Sequence, residues 1–279
     1  MEAFRQALRQ LGFVEGQNMA IELRYARGGL QQLPELATEL VRLKPDVLFA
    51  PGDLAPRIAQ QATNTIPIVA MSDDILGARL VTSLSHPGGN TTGLTIMAPE
   101  LSAKRLEVLQ EMAPGMARVA ALWDPTTGAS QVELTERAAK ALKLDLQVLE
   151  VRRRDDVSTA FRQARDGRAD AINVFSSPFL ASLFREIIIL SAEYRLPAIY
   201  QWPERAEGGG FAAYAPRFSQ IRRELLVRQV VQLLRGAKIA NIPVEQPTKF
   251  ELVINLKTAK AIGHEIPANL VLRADKLVE

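Results

Sequence analysis

The sequence predicts an α/β protein built as two doubly wound, Rossmann-like lobes joined by a multi-strand hinge. Short β-branched or apolar runs alternate with longer segments of helical period along 279 residues. That is the pattern of parallel strands linked by crossover helices. Several runs, among them Asp46–Ala50 and Ala117–Trp123, are apolar almost throughout, as strands covered on both faces are. Ten such runs are too many for one small sheet, and the length suits about two domains.

In chain order the expected strands are Met19–Tyr25, Asp46–Ala50, Ile66–Ala70, Thr91–Thr95, Ala117–Trp123, Leu144–Val151, Ala169–Phe175, Ala198–Gln201, Gly210–Tyr214 and Phe250–Ile254. Helical stripes separate them. Leu30–Lys44 carries Leu33, Leu36, Ala37, Leu40 and Val41, and Leu101–Met112 repeats the pattern with Leu106, Val108, Leu109 and Met112. Phe179–Tyr194 and Phe218–Arg235 are the longest. Turn residues cluster at 87–93, a strand follows, and Pro99 opens a helix. The chain is therefore expected to cross between lobes at Thr95–Pro99, near Tyr214–Pro216 and at Pro243–Pro247. Residues 1–96 with about 217–246 would form lobe 1, and about 97–216 with 247–279 lobe 2.

Composition removes whole classes of chemistry. Cysteine is absent, so disulfides, thiolate metal sites and thiol nucleophiles are excluded. Two histidines, His86 and His264, leave little for a metal site or an acid–base relay. Thirty-four basic against 31 acidic residues give a net charge of +3. The densest basic run, Arg152–Arg154, meets Asp155 and Asp156 at once, which reads as a solvated loop and not a nucleic-acid footprint. No apolar run has the length of a membrane span, and residues 1–8 show no secretory signal.

Catalytic motifs are missing. Gly88-Gly89-Asn90 lacks the spacing of a phosphate loop. There is no Gly-x-Ser-x-Gly elbow and no His-Glu-x-x-His. The adjacent pairs Asp73-Asp74 and Asp155-Asp156 do not converge on one bond if extended. Neither an enzyme, a metal nor a cofactor is indicated.

The informative residues share an address, because open parallel sheets bind ligands outside the carboxyl ends of their strands. Those ends supply Gly52 and Asp53; Ser72, Asp73 and Asp74; Asp124, Thr126 and Thr127; Ser176 and Ser177; and Tyr200, with Tyr214 further on. Hydroxyls and carboxylates ahead of helices suit a small-molecule cleft, although each also serves as a helix cap.

Several stretches resemble one family throughout. They are Leu11-Gly12-Phe13-Val14-Glu15-Gly16, Leu84–Leu94 with its His86-Pro87-Gly88-Gly89-Asn90, Leu122-Trp123-Asp124-Pro125, Leu196–Tyr200 and Ile242–Lys260. Together they resemble the substrate-binding proteins of ABC importers, in the subfamily with tryptophan- and tyrosine-binding members. The resemblance implies a type I periplasmic-binding fold, no catalysis, a small organic solute (an amino acid or another small organic acid, aromatic or not), and a membrane permease as partner. It implies a periplasmic or cell-envelope location; it leaves the oligomeric state open. It also implies that a signal segment and the first strand of lobe 1 are absent here. Met19–Tyr25 and Asp46–Ala50 would then pair directly or leave open edges, and lobe 1 would be looser or repaired by an added strand.

Two other classes remain on the sequence alone. The same fold serves as the ligand-sensing domain of regulators and receptors, but no helix-turn-helix precedes the core. An enzyme on this scaffold would need converging carboxylates, and ligand consumption would reveal it.

Overall fold

Residues 2–26 and 29–279 are described in the computed structural model. They form two compact units: Met1–Ile96 with Ser219–Pro247, and Met97–Phe218 with Thr248–Glu279.

The first unit contains α1 (Glu2–Gln10), α2 (Leu33–Arg42), β1 (Leu48–Pro51), α3 (Leu54–Ala62), β2 (Ile68–Ser72) and β3 (Thr91–Thr95). The strands form a parallel sheet in the order β1-β2-β3, with Ala50 opposite Ala70 and Ala70 opposite Gly93. β2 and β3 are buried along their length apart from half-buried Met71, as parallel strands covered on both faces must be. Gly93 is required where it stands. Its φ is 142°, and a Cβ there would lie 1.9 Å from the Ala70 carbonyl oxygen. The far side of β3 is covered by residues 242–245. The Glu245 N–H donates to the Gly93 carbonyl at 2.9 Å, and the Thr95 N–H donates to the Glu245 carbonyl at 3.0 Å. Buried Gln229 donates from Nε2 to the carbonyls of Gly93 and Pro243, at 2.8 and 3.1 Å.

One expected strand does not form. Residues 20–26 are without strand pairing, and only an isolated bridge joins Glu15 and Met19. The segment does not draw up to β1, which is the edge of its sheet. The alternation Ile21, Leu23, Tyr25 is present, but a strand is stabilised by its partner and not by its own pattern. Arg24 instead pairs with Glu22 and with Glu39 of α2. Leu23, Tyr25 and Phe49 of β1 are left 38%, 57% and 38% exposed.

The second unit holds a seven-stranded sheet. Its elements are α4 (Ala98–Met112), β4 (Arg118–Trp123), α5 (Ser130–Leu142), β5 (Asp145–Glu150), α6 (Asp156–Asp166), β6 (Ala171–Val174), α7 (Pro178–Ser182), α8 (Phe184–Glu193), β7 (Ala198–Tyr200), α9 (Pro203–Glu207) and β8 (Ala212–Ala215). A helical stretch then leads back to the first unit: α10 (Phe218–Gln220), a π-helical turn (Ile221–Leu226) and α11 (Val227–Leu234). β9 (Glu251–Asn255), α12 (Leu256–Ala261), α13 (Ala268–Arg273) and β10 (Lys276–Val278) complete the second unit. The strand order is β10-β9-β8-β7-β6-β4-β5, parallel except between β8 and β9.

Strand alternation sorts the core onto two faces. Val119, Ala171, Ile199 and Ala212 pack with α4, α5, α12 and α13. Ala120, Ile172, Ala198 and Ala213 pack with α6, α7 and α8. The expected helix Phe179–Tyr194 is divided at Leu183, which has φ −98° and ψ 7°. Ser182 Oγ donates back to the Phe179 carbonyl at 2.6 Å there, a bond that competes with helix continuation. β10 was not expected; three residues opening on a lysine carry too little pattern.

Candidate functional site

In the first unit, the turn after β1 and the loop after β2 are joined by one side chain. Gly52, at φ 75°, donates its N–H to the Met71 carbonyl at 2.8 Å. Asp53 follows and is buried. Its Oδ1 accepts from the Ser72 hydroxyl and, at 3.0 Å, from the Asp73 N–H. Burial pushes the Asp53 carboxyl above its ordinary value, and the charge of Asp74 adds to that, while the bonds from Ser72 and the backbone oppose it. Asp73 is buried; Asp74 is half-exposed and accepts the Gly77 N–H at 2.9 Å. The structure therefore brings Gly52, Asp53, Ser72, Asp73 and Asp74 together, with Asp53 as the tie.

The second unit shows the same construction at the ends of β4 and β6. Asp124 Oδ1 accepts from the N–H and the hydroxyl of Thr126, at 3.0 and 2.8 Å. Its Oδ2 accepts from the Ser177 hydroxyl at 2.6 Å. Ser177 in turn caps α7, accepting from the N–H groups of Phe179 and Leu180. Thr127 donates its hydroxyl to the Asp124 carbonyl at 2.8 Å. Asp124, Thr127, Ser176 and Ser177 are all buried, whereas Thr126 is exposed and Trp123 half-buried. Both oxygens of the Asp124 carboxylate are thus already engaged, one by Thr126 and the other by Ser177.

Two expected residues lie elsewhere. Tyr200 shares the strand parity of Ala198, so its ring enters the core beside α8. It is 2% exposed, and its hydroxyl lies 3.3 Å from Ser191 Oγ. It is a core residue and not part of the strand-end group. Tyr214 packs on the opposite face and stacks on Phe250, with centroids 6.2 Å apart.

Sequence reasoning missed Gln131. It is fully buried, and its carboxamide bonds to Ser102, Thr127 and Ser176. Arg105, also buried, donates from Nη2 to Ser102 Oγ at 2.8 Å. A signal was available: Gln131, Thr135 and Ala139 recur at four-residue spacing on the buried stripe of α5. Polar residues inside a stripe mark either a partner or a site. Gln201, after β7, is 7% exposed and its Oε1 has no hydrogen-bond partner. Among the described residues no group of three or more His, Cys, Asp or Glu is placed to hold a metal ion.

Two α/β units built on parallel sheets, with polar residues at the strand ends of each, are the architecture of the type I periplasmic-binding fold. The model of the ABC transporter substrate binding protein family matches residues 1–278, and the chain belongs to that family. It is similar to a tyrosine-binding protein of Clostridioides difficile, with 24% identity over 265 residues, covering 94% of this chain and 75% of the relative. Among solved structures, a conserved domain protein of Vibrio cholerae shares 26% identity with a TM-score of 0.91, covering 99% of this chain and 94% of the other. An ABC domain in complex with L-Trp from Streptococcus pneumoniae shares 23% identity with a TM-score of 0.89, covering 99% and 93%.

Proposed function

We propose that this protein is the solute-binding component of an ABC importer. It takes up a small organic solute, an amino acid or another small acid with an aromatic body, and delivers it to a permease at the membrane, outside the cytoplasm. It binds without catalysis. The observation that carries the reading is the matched construction of the strand ends: in each unit a buried carboxylate fixes two loops where parallel sheets receive ligands. Such fixed polar loops suit recognition, which gains affinity from groups ordered before the ligand arrives. Each unit presents its own set of polar strand ends. In the second unit the groups open to a solute are Thr126 and Trp123. The carboxylate for an ammonium comes from the first unit, at Asp73 or Asp74. The two relatives named for tyrosine and L-Trp support an aromatic amino acid.

Isothermal titration with L-tyrosine and L-tryptophan, against glucose and leucine, tests this. Saturable binding of an aromatic amino acid, recovered unchanged afterwards, is expected. Consumption of the ligand, or binding of the sugar alone, overturns the reading.

A further inference from the structure

β4 and β6 run side by side, and the last bond between them joins the Phe175 N–H to the Leu122 carbonyl at 3.1 Å. Beyond it β4 turns away through Asp124, and the Ser176 backbone has left the ladder. Gln131 takes over there. Its Oε1 accepts the Ser176 N–H at 2.9 Å, and its Nε2 donates to the Ser176 carbonyl at 2.9 Å. Those two bonds close a ring on one residue, as a neighbouring strand's peptide group would. The remaining directions are also used. Oε1 accepts from Ser102 Oγ at 2.9 Å, and Nε2 donates to Thr127 Oγ1 at 3.2 Å. The helix that carries Gln131 is thereby tied to α4 and to both strand-end loops.

We propose that Gln131 is the positioning residue of the second unit's solute-binding surface. It does not touch the solute. It sets the backbone at Ser176 and the hydroxyl at Thr127, and through them the Asp124–Ser177 pair that fixes exposed Thr126. The inference rests on the solute-binding reading above. The chemistry requires this side chain. A glutamate of the same length accepts but does not donate, and a methionine fills the volume but makes none of the four bonds. Displacing loops by an ångström costs a binding site far more than it costs a core.

The test compares Gln131→Met with Phe161→Leu, a change in the core on α6, where the Phe161 ring packs against Tyr194. Both are assayed at a temperature where circular dichroism shows full folding, with L-tryptophan and L-tyrosine as probes. Gln131→Met is expected to weaken binding by about tenfold or more, while Phe161→Leu at a comparable melting temperature leaves affinity within about twofold. Equal affinities in the two variants overturn the proposal. Amide exchange keeps the two readings apart. If the unmodified protein binds neither probe, the solute class is wrong, and positioning is then judged from exchange at residues 126–128 and 175–177. Faster exchange confined to those loops in Gln131→Met upholds it, and an even rise across the unit overturns it. Should Gln131→Met not fold, Gln131→Glu, which lacks both donors, must show the same loss.

Discussion

Replacing Gly93 by alanine should unfold the first unit selectively. The added Cβ would lie 1.9 Å from the Ala70 carbonyl oxygen and 2.6 Å from the Ala70 nitrogen, both backbone atoms that no side-chain rotation removes. A carbon–oxygen contact of about 3.3 Å requires β2 and β3 to part by about 1.4 Å. That breaks the ladder bonds nearest Ala70. Gly93 has no room to retreat, because Gln229 and Glu245 hold its carbonyl from the other side. About two to four hydrogen bonds at ~1 kcal/mol each, with ~1–3 kcal/mol for a non-glycine residue at φ 142°, amount to about 3–7 kcal/mol. A domain has only ~5–15 kcal/mol in total. The assay follows from the tryptophans, since Trp123 and Trp202 both belong to the second unit. Urea unfolding is followed by far-ultraviolet ellipticity, which reports both units, and by tryptophan fluorescence, which reports the second. In Gly93→Ala the first ellipticity transition should move down by about 1 M or more, while the fluorescence midpoint stays. An unmoved ellipticity transition refutes the close-approach argument.

Asp53→Asn should flatten the pH dependence of the first unit. Burial raises the folded Asp53 carboxyl above its ordinary 3.8, so the native state binds the proton more tightly; the stability from this group is full at low pH and is lost as pH rises through the raised value. The asparagine oxygen still accepts from Ser72 and Asp73, so melts from ~pH 4 to ~pH 7 should show a shallower decline and no loss at neutrality; an unchanged slope would count against burial as the cause. Lys143→Gly should stabilise the second unit by about 0.5–1 kcal/mol, because Lys143 ends α5 in the left-handed region at φ 58°. Lys140→Gly, one turn earlier and helical, should cost ~1 kcal/mol in the same urea titration; a matching loss at both positions would discredit the capping argument.

The parallel strands were legible because burial on both faces is written into consecutive residues. Ala117–Trp123 needs no knowledge of its neighbours to read as β4, and Thr91–Thr95 as β3 likewise. Met19–Tyr25 failed because its alternation is equally local, while strand formation is not. The same boundary separates what was legible in the site from what was not. Strand ends are local features, so the loops at Gly52, Ser72, Asp124 and Ser176 could be found. Which side chains remain open to a ligand depends on pairings such as Ser177 with Asp124, 53 residues apart, and on the parity that turns Tyr200 into the core. Gln131 carried only its four-residue spacing with Thr135 and Ala139 as a signal, and a polar residue on a helix reads as solvated until its partners are known. The polar residues at a strand end thus divide into those that hold the loops and those that face outward. Here Asp53, Asp124, Ser177 and Gln131 hold. Truncating them to alanine would change affinity and stability together, whereas at exposed Thr126 and half-exposed Asp74 the larger change should be in affinity.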